Sequence, residues 1–188
     1  MELTDLAIKI VGLTPLVMHS SRGMQQSAGG ATRKKIPTPK DEAEAGAYRL
    51  PNGDLYIPSD GFIGGMRKVG TSLRLTIEKT PIRNVLAASV FLESPEIPLY
   101  HPKTKKPIRE YEIYTCRAVV QRQGIMRSRP RIREWAATIK LSYDNELIAP
   151  TVIRDLLTRA GKVVGIGDQR PGAPLTPGPY GRYEVLPE

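Results

Sequence analysis

Apolar residues recur at every second position through residues 4–13 (TDLAIKIVGL), where Leu6, Ile8 and Ile10 share one side. That period marks a half-buried strand. The alternation returns at 110–121 (EYEIYTCRAVVQ) and at 134–143 (EWAATIKLSY), the latter placing Trp135, Ala137, Ile139, Leu141 and Tyr143 on one face. Residues 83–93 (RNVLAASVFLE) read as a further strand. Phe62, Met66, Val69 and Leu73 instead recur at i, i+4, i+7 and i+11, an apolar helical stripe that Ser59 or Asp60 is placed to cap. Gly64, Gly65 and Gly70 each weaken that helix by ~1 kcal/mol relative to alanine. Their presence implies that something packs very close to its backbone. A second amphipathic helix covers 150–160, with Val152, Ile153, Leu156, Leu157 and Ala160 inward and Gly161 as its stop. Asn52-Gly53 predicts a two-residue hairpin turn within 48–58, and a last short strand follows a glycine-rich stretch.

Strand, helix, strands, helix, strand is the α+β, ferredoxin-like (RRM-like) β-α-β-β-α-β plan, here expected as one domain over residues 1–188. Two segments interrupt it. Residues 19–47 are poor in large apolar residues, carry Gly29-Gly30 and Arg33-Lys34-Lys35, and are expected to form a long flexible inserted loop. Pro95–Pro107, with Lys103, Lys105 and Lys106, is expected as a second basic loop. A four-stranded sheet with helices on one face leaves the other open, and RRMs use that face for single-stranded RNA.

Charge sharpens this picture. Lys and Arg number 28 against 19 Asp and Glu, a net charge of +9 with pI near 9.8. A surplus of that size points to a polyanionic partner. No long apolar run is present, so no membrane partner is expected. The opening MELTDLAIKI is acidic and strand-like, so no secretory signal is expected. The single cysteine, Cys116, excludes an internal disulfide and a cysteine-based zinc cluster. It suits a reducing, cytoplasmic location and a small core position. No cofactor or metal is expected.

Three segments carry candidate chemistry. Arg117, Arg122, Arg127, Arg129, Arg131 and Arg133 fall within 117–133 with no acid between them. On a hairpin they form a projecting basic thumb whose guanidinium groups suit phosphates and stacked bases. A solvated face is the plainer alternative, but six like charges repel unless an anion offsets them. Second, GKVVGIGDQRPG presents Gly165-Ile166-Gly167 just after a helix, where bare backbone N–H groups accept phosphate oxygens and Arg170 and Arg182 add charge. A helix cap and two tight turns would also account for those glycines. Third, IPSDGFIGGMRK offers a helix N-terminus with Gly61, Arg67 and Lys68, favourable to an anion, or else a plain core helix.

These segments together resemble the RAMP superfamily, the RRM-like proteins that build CRISPR effector complexes. The likeness rests on Thr14-Pro15-Leu16 after the first strand, on Ile57-Pro58-Ser59-Asp60-Gly61-Phe62-Ile63-Gly64-Gly65-Met66-Arg67, on Gly165-Ile166-Gly167, and on Tyr180-Gly181-Arg182-Tyr183-Glu184-Val185. The middle of the chain matches only as a basic hairpin. The resemblance implies a subunit that grips the backbone of a guide RNA, or of single-stranded DNA, and stacks with copies of itself or with other effector subunits. A solitary relative on a phage or mobile element fits the same pattern. By position, Ser59, Arg67, Lys68 and the Gly165–Gly167 loop would contact phosphates. Some RAMP relatives cleave RNA. One branch uses a histidine near the end of the first strand, where His19 stands; another uses a loop aspartate with a metal, where Asp41 stands beside Glu42 and Glu44. The plainer alternatives are a surface histidine and a solvated acidic run. The fold is thus compatible with strand binding, with ribonuclease activity, or with a subunit mimic that docks on an effector complex.

Overall fold

The computed structural model describes residues 2–20, 37–120 and 123–187. Arg122 and most of the first expected loop lie outside them. In chain order the elements are β1 (Leu3–Gly12), β2 (Leu16–Val17), α1 (Pro39–Gly46), β3 (Tyr56–Pro58), α2 (Asp60–Ser72), β4 (Thr76–Ile77), β5 (Thr80–Pro81), α3 (Ile82–Ser89), β6 (Val90–Leu92), β7 (Glu96–Tyr100), β8 (Glu112–Val120), β9 (Gln123–Ile132), β10 (Ala136–Asp144), α4 (Pro150–Val163) and β11 (Tyr183–Val185).

The main sheet runs β11-β1-β10-β7-β3, and β6 also pairs with β10. With β6 and β7 sharing the second-strand position, this is the antiparallel order of the ferredoxin-like, RRM-like α+β fold. Register places Leu6 opposite Leu141, Ile8 opposite Ile139 and Ile10 opposite Ala137 on the helix side. Asp5, Ala7 and Lys9 face Ser142, Lys140 and Thr138 on the other side. Phe62, Met66 and Val69 of α2 and Ile153, Leu156, Leu157 and Ala160 of α4 close the core over the first set. Each fully buried side chain of this kind contributes ~1.5–3 kcal/mol.

Several local expectations are corrected. Residues 83–93 are not a strand: α3 buries Ile82, Val85, Leu86 and Ser89, an i, i+3, i+4, i+7 set, and only Val90–Leu92 is extended. The stretch expected as a second basic loop contains β7, with Ile97 and Leu99 buried alternately, and its turn is confined to 101–107. Residues 39–46, expected as loop, form α1, capped by Thr38 and Asp41 and started by Pro39. Ser59 occupies the α2 N-cap but makes no side-chain cap bond. Leu73 ends the α2 stripe half exposed. In the 48–58 hairpin, Leu50 and Asp54 bracket a Pro51-Asn52 turn that Gly53 closes at φ +90°, a turn plus bulge in place of a two-residue Asn-Gly turn.

Gly161 does not stop α4. The helix continues to Val163 and ends at Gly165, φ +68°. Gly161 is required for a different reason: a Cβ there would overlap the carbonyl oxygen of Tyr183, so α4 and β11 touch backbone to backbone. In α2, close packing accounts for Gly65, against Ala160, and Gly70, against Ile82, whereas Gly64 faces open space. Gly64→Ala should therefore stabilise the protein by ~1 kcal/mol, while Gly161→Ala should destabilise it by about 1–3 kcal/mol through overpacking. Urea denaturation of the two variants checks this; equal effects of the same sign would contradict it.

Candidate nucleic-acid interface

A second sheet, β2-β9-β8, stands apart from the main one. Its long hairpin pairs Glu112 with Arg131, Tyr114 with Arg129 and Cys116 with Arg127. Strand alternation puts these six on one face and Ile113, Thr115, Arg117 and Met126 on the other. Arg127, Arg129 and Arg131 form a ladder with ~6.8 Å between successive positions, a spacing comparable to that of successive phosphates in an extended strand.

The ladder is acid-free along the chain but not in space. Arg127 pairs with Glu42 of α1 at 2.8 Å, and the other Glu42 oxygen accepts the Ser128 N–H at 2.9 Å. Arg129 pairs with Asp168 of the glycine-rich loop, both side chains being largely buried. Arg131 and Arg133 share Glu112 at 2.9 and 2.6 Å. Hydrogen bonds from Arg133 and Arg131 hold the Glu112 carboxyl below its ordinary pKa. Arg131 also lies over the Tyr114 ring, 5.1 Å from its centroid, and Tyr114 meets Tyr180 edge-on at 5.5 Å. Arg117 is exposed, lies against Gly124 across the hairpin and has no ion pair among the described residues. Three carboxylates thus answer five described arginines, leaving an excess of positive charge at the hairpin.

The loop after α4 is not the open cradle of bare amides that its glycines suggest. The Gly165, Ile166 and Asp168 N–H groups donate to the carbonyls of Ala160, Gly181 and Val17, each at 2.8 Å. Gly167, at φ +78°, lies where a Cβ would crowd the Val17 carbonyl, and its own carbonyl accepts from Arg170 at 2.8 Å. Gln169 donates to the half-buried Cys116 thiol at 3.1 Å, which ties the loop to the hairpin. Arg182 is exposed, and its N–H donates to Thr14 Oγ1 at 3.0 Å. Ser59 is buried and stands away from solvent. Lys68 donates to the Gly172 carbonyl at 2.7 Å, and Arg67 is exposed without an ion pair among the described residues. Lys68 on α2, Arg170 in the loop and Arg129 on the hairpin are therefore linked through one short stretch, 168–172.

His19 follows β2. Partial withdrawal from water, then the charges of Arg129 and Arg127, hold its pKa below the ordinary 6.5, with Glu42 opposing. The acidic run is tied into the fold, although Asp41 and Glu44 stay exposed. Asp41 closes a capping box with Thr38, Glu42 holds Arg127, and Glu44 accepts from Arg49 at 2.8 Å and Tyr111 at 2.5 Å. No cluster of three metal-ligating side chains occurs among the described residues. Glu112 and Asp168 are the site residues that sequence reasoning missed, and Glu42, named there beside Asp41, holds an arginine and was not assigned that role. Glu112 had a faint signal, sharing the phase of Tyr114 on its strand; Asp168 comes from a distant segment and had none.

The open face of the main sheet differs in character. Lys140 approaches Glu93 at 3.9 Å, and Glu93, Glu96 and Tyr100 line a cavity of about 430 Å³ there. That mixed charge favours a polyanion less than the hairpin does.

Together these features define an RRM-like α+β fold bearing a separate basic hairpin. No protein-family model matches the sequence, and no curated protein matches it. Among solved structures, the crystal structure of Cmr6 from Pyrococcus furiosus aligns with a TM-score of 0.52 at 12% identity, covering 99% of this chain and 100% of that one. At that identity the likeness is one of fold alone.

Because partial burial and, after it, two guanidinium charges oppose the imidazolium, the His19 titration midpoint should lie below 6.5 and move upward in Arg129→Gln. The shift costs the native state stability as pH falls through the region below 6.5, where the unfolded chain takes the proton more readily. NMR titration of the imidazole resonances checks it; a midpoint above 6.5 would refute the depression, and an unchanged midpoint in Arg129→Gln would refute the charge assignment.

Proposed function

We propose that this chain binds single-stranded nucleic acid along its backbone, without base specificity, as a subunit of a ribonucleoprotein assembly of RAMP type. The observation that carries the reading is the arginine ladder of β9, joined by Asp168 and Arg170 to the glycine-rich loop and by Lys68 to α2. Three segments far apart in sequence thus supply one basic tract. The likeness of fold to Cmr6 and the resemblance of four short motifs to RAMP proteins support the same reading. A guide-type RNA strand suits it best, running across the hairpin and past Lys68, with further copies or other effector subunits extending the tract.

The carboxylates give the reading a mechanism. Each ladder arginine is held in position by an acid, so little side-chain entropy remains to be lost when a phosphate arrives. Arg131 and Arg133 each take one oxygen of the same carboxylate, so both guanidinium groups keep N–H donors to spare. Glu112 competes with the strand for both.

A second reading, RNA cleavage, is favoured by one observation: His19 is held toward its neutral, proton-accepting form beside Arg127 and Arg129. Loss of oligonucleotide cleavage in His19→Ala, with cleavage by the unsubstituted chain unaffected by EDTA, would establish it.

Fluorescence anisotropy with labelled oligonucleotides tests the main reading. Arg127→Glu with Arg131→Glu should weaken binding by at least about 100-fold for every sequence alike, since each charge-assisted contact is worth ~1.5–3 kcal/mol. Glu112→Gln should tighten it about threefold or more by releasing Arg131 and Arg133. Binding that survives the double reversal at moderate salt would sink the proposal. A saturating oligonucleotide should also raise the His19 midpoint, because phosphates offset the arginine charges that depress it.

A further inference from the structure

Arg127, Arg129, Arg131 and Arg133 are paired, and a less compensated basic tract lies elsewhere among the described residues. Residues 67–83 hold Arg67, Lys68, Arg74, Lys79 and Arg83 with Glu78 as the only acid. Among the described residues Arg74 and Arg83 are exposed and have no ion pair. Both line a cavity of about 210 Å³ between the end of α2, the outer ends of β4 and β5 and the start of α3. Its walls are largely apolar, formed by Leu75, Pro81 and Ile82.

The backbone here places charged residues where glycine or asparagine is usual. The Arg74 N–H donates to the Thr71 carbonyl and the Leu75 N–H to the Gly70 carbonyl, at 3.1 and 3.0 Å. This is a Schellman ending, whose left-handed position is ordinarily glycine; here it is Arg74, φ +51°. The two-residue β4–β5 turn sets Glu78 at φ +47° and Lys79 at +69°, where Asn-Gly is the favoured pair. Three long charged residues therefore occupy left-handed positions within six residues, and one of them, Arg74, lines the cavity. Such strain gathers at ligand-binding sites, where the surrounding structure sustains it.

We propose that this cavity binds one nucleotide, its base against Leu75, Pro81 and Ile82 and its phosphate on Arg74 and Arg83. Inorganic phosphate alone would leave the apolar walls unused, and an uncharged apolar ligand would leave two guanidinium groups unanswered. The volume suits a single ring system. Guanidinium groups bind phosphate through paired N–H donors and can also stack on a base. The inference builds on the strand-binding reading, since the nucleotide can belong to the bound strand or be free; the chemistry recognised is the same.

Isothermal titration of the full chain with UMP, AMP and inorganic phosphate tests it. Both nucleotides should bind saturably, and phosphate at least tenfold more weakly. Arg74→Gly with Arg83→Ala should weaken nucleotide binding at least tenfold. Arg74→Gly relieves a left-handed arginine, so its thermal midpoint should not fall, which separates lost binding from lost folding. Arg127→Glu with Arg131→Glu should keep nucleotide binding while losing the oligonucleotide, so the two proposals fail independently. Competition between an oligonucleotide and UMP assigns the site to a nucleotide of the strand; saturable UMP binding without competition assigns it to a free nucleotide. The proposal is overturned if the unsubstituted chain takes up no mononucleotide, if phosphate binds as tightly as UMP, or if the paired substitution changes nothing.

Discussion

The contact on which the other arrangements depend is the burial of Tyr183 between α4 and the first strands. Its carbonyl lies directly against Gly161, and its ring meets Phe62 at 5.5 Å and Trp135 at 6.4 Å. Trp135 in turn lies on Gly12 and donates from Nε1 to the Thr14 carbonyl at 2.9 Å. The turn after β1 is then closed from the far end of the chain. Leu13 N–H donates to the Arg182 carbonyl, Gly181 N–H to the Pro15 carbonyl and Asp168 N–H to the Val17 carbonyl. Gly61, at the start of α2, fits under Ile166 of the same loop. The four short motifs that look unrelated along the sequence are thus one packed unit. That unit fixes where β2 leaves the main sheet, and therefore where the hairpin paired to β2 projects.

Elements with a strong period were legible in the sequence. β1 and β10 alternate cleanly because one face is buried and the other is not, and α4 shows its stripe for the same reason. The failures have physical causes. In α3 the apolar residues fit a helix, but β-branched and small residues flank them, and local propensity does not settle an eight-residue segment. α1 was obscured because Ala43 and Gly46 are its buried residues, and neither registers as hydrophobic weight. Gly161 was misread because a glycine that ends a helix and one that admits a neighbouring backbone look identical in sequence. At the candidate interface the arginines and their spacing were visible, while their partners were not. Glu42, Asp168 and Glu112 reach them through tertiary packing, and charge counted along a chain carries no information about packing. The reading of the loop amides as an anion nest failed similarly, because the acceptors that occupy them lie on β2, on α4 and at Gly181.

The pairing of Arg131 and Arg133 with Glu112 changes what a salt titration of such a surface would count. A polyphosphate that captures a free arginine releases condensed cations into bulk solution, and affinity then falls with ionic strength in proportion to the number captured. A polyphosphate that takes an arginine from a carboxylate does something different: the displaced acid, once exposed, gathers cations of its own. The net ion release is smaller than the number of guanidinium groups engaged. A surface built this way retains more of its hold as salt rises than its arginine content suggests. By the same balance it would attract any polyanion less strongly than its arginine content suggests, the internal acids screening the cations that they also position.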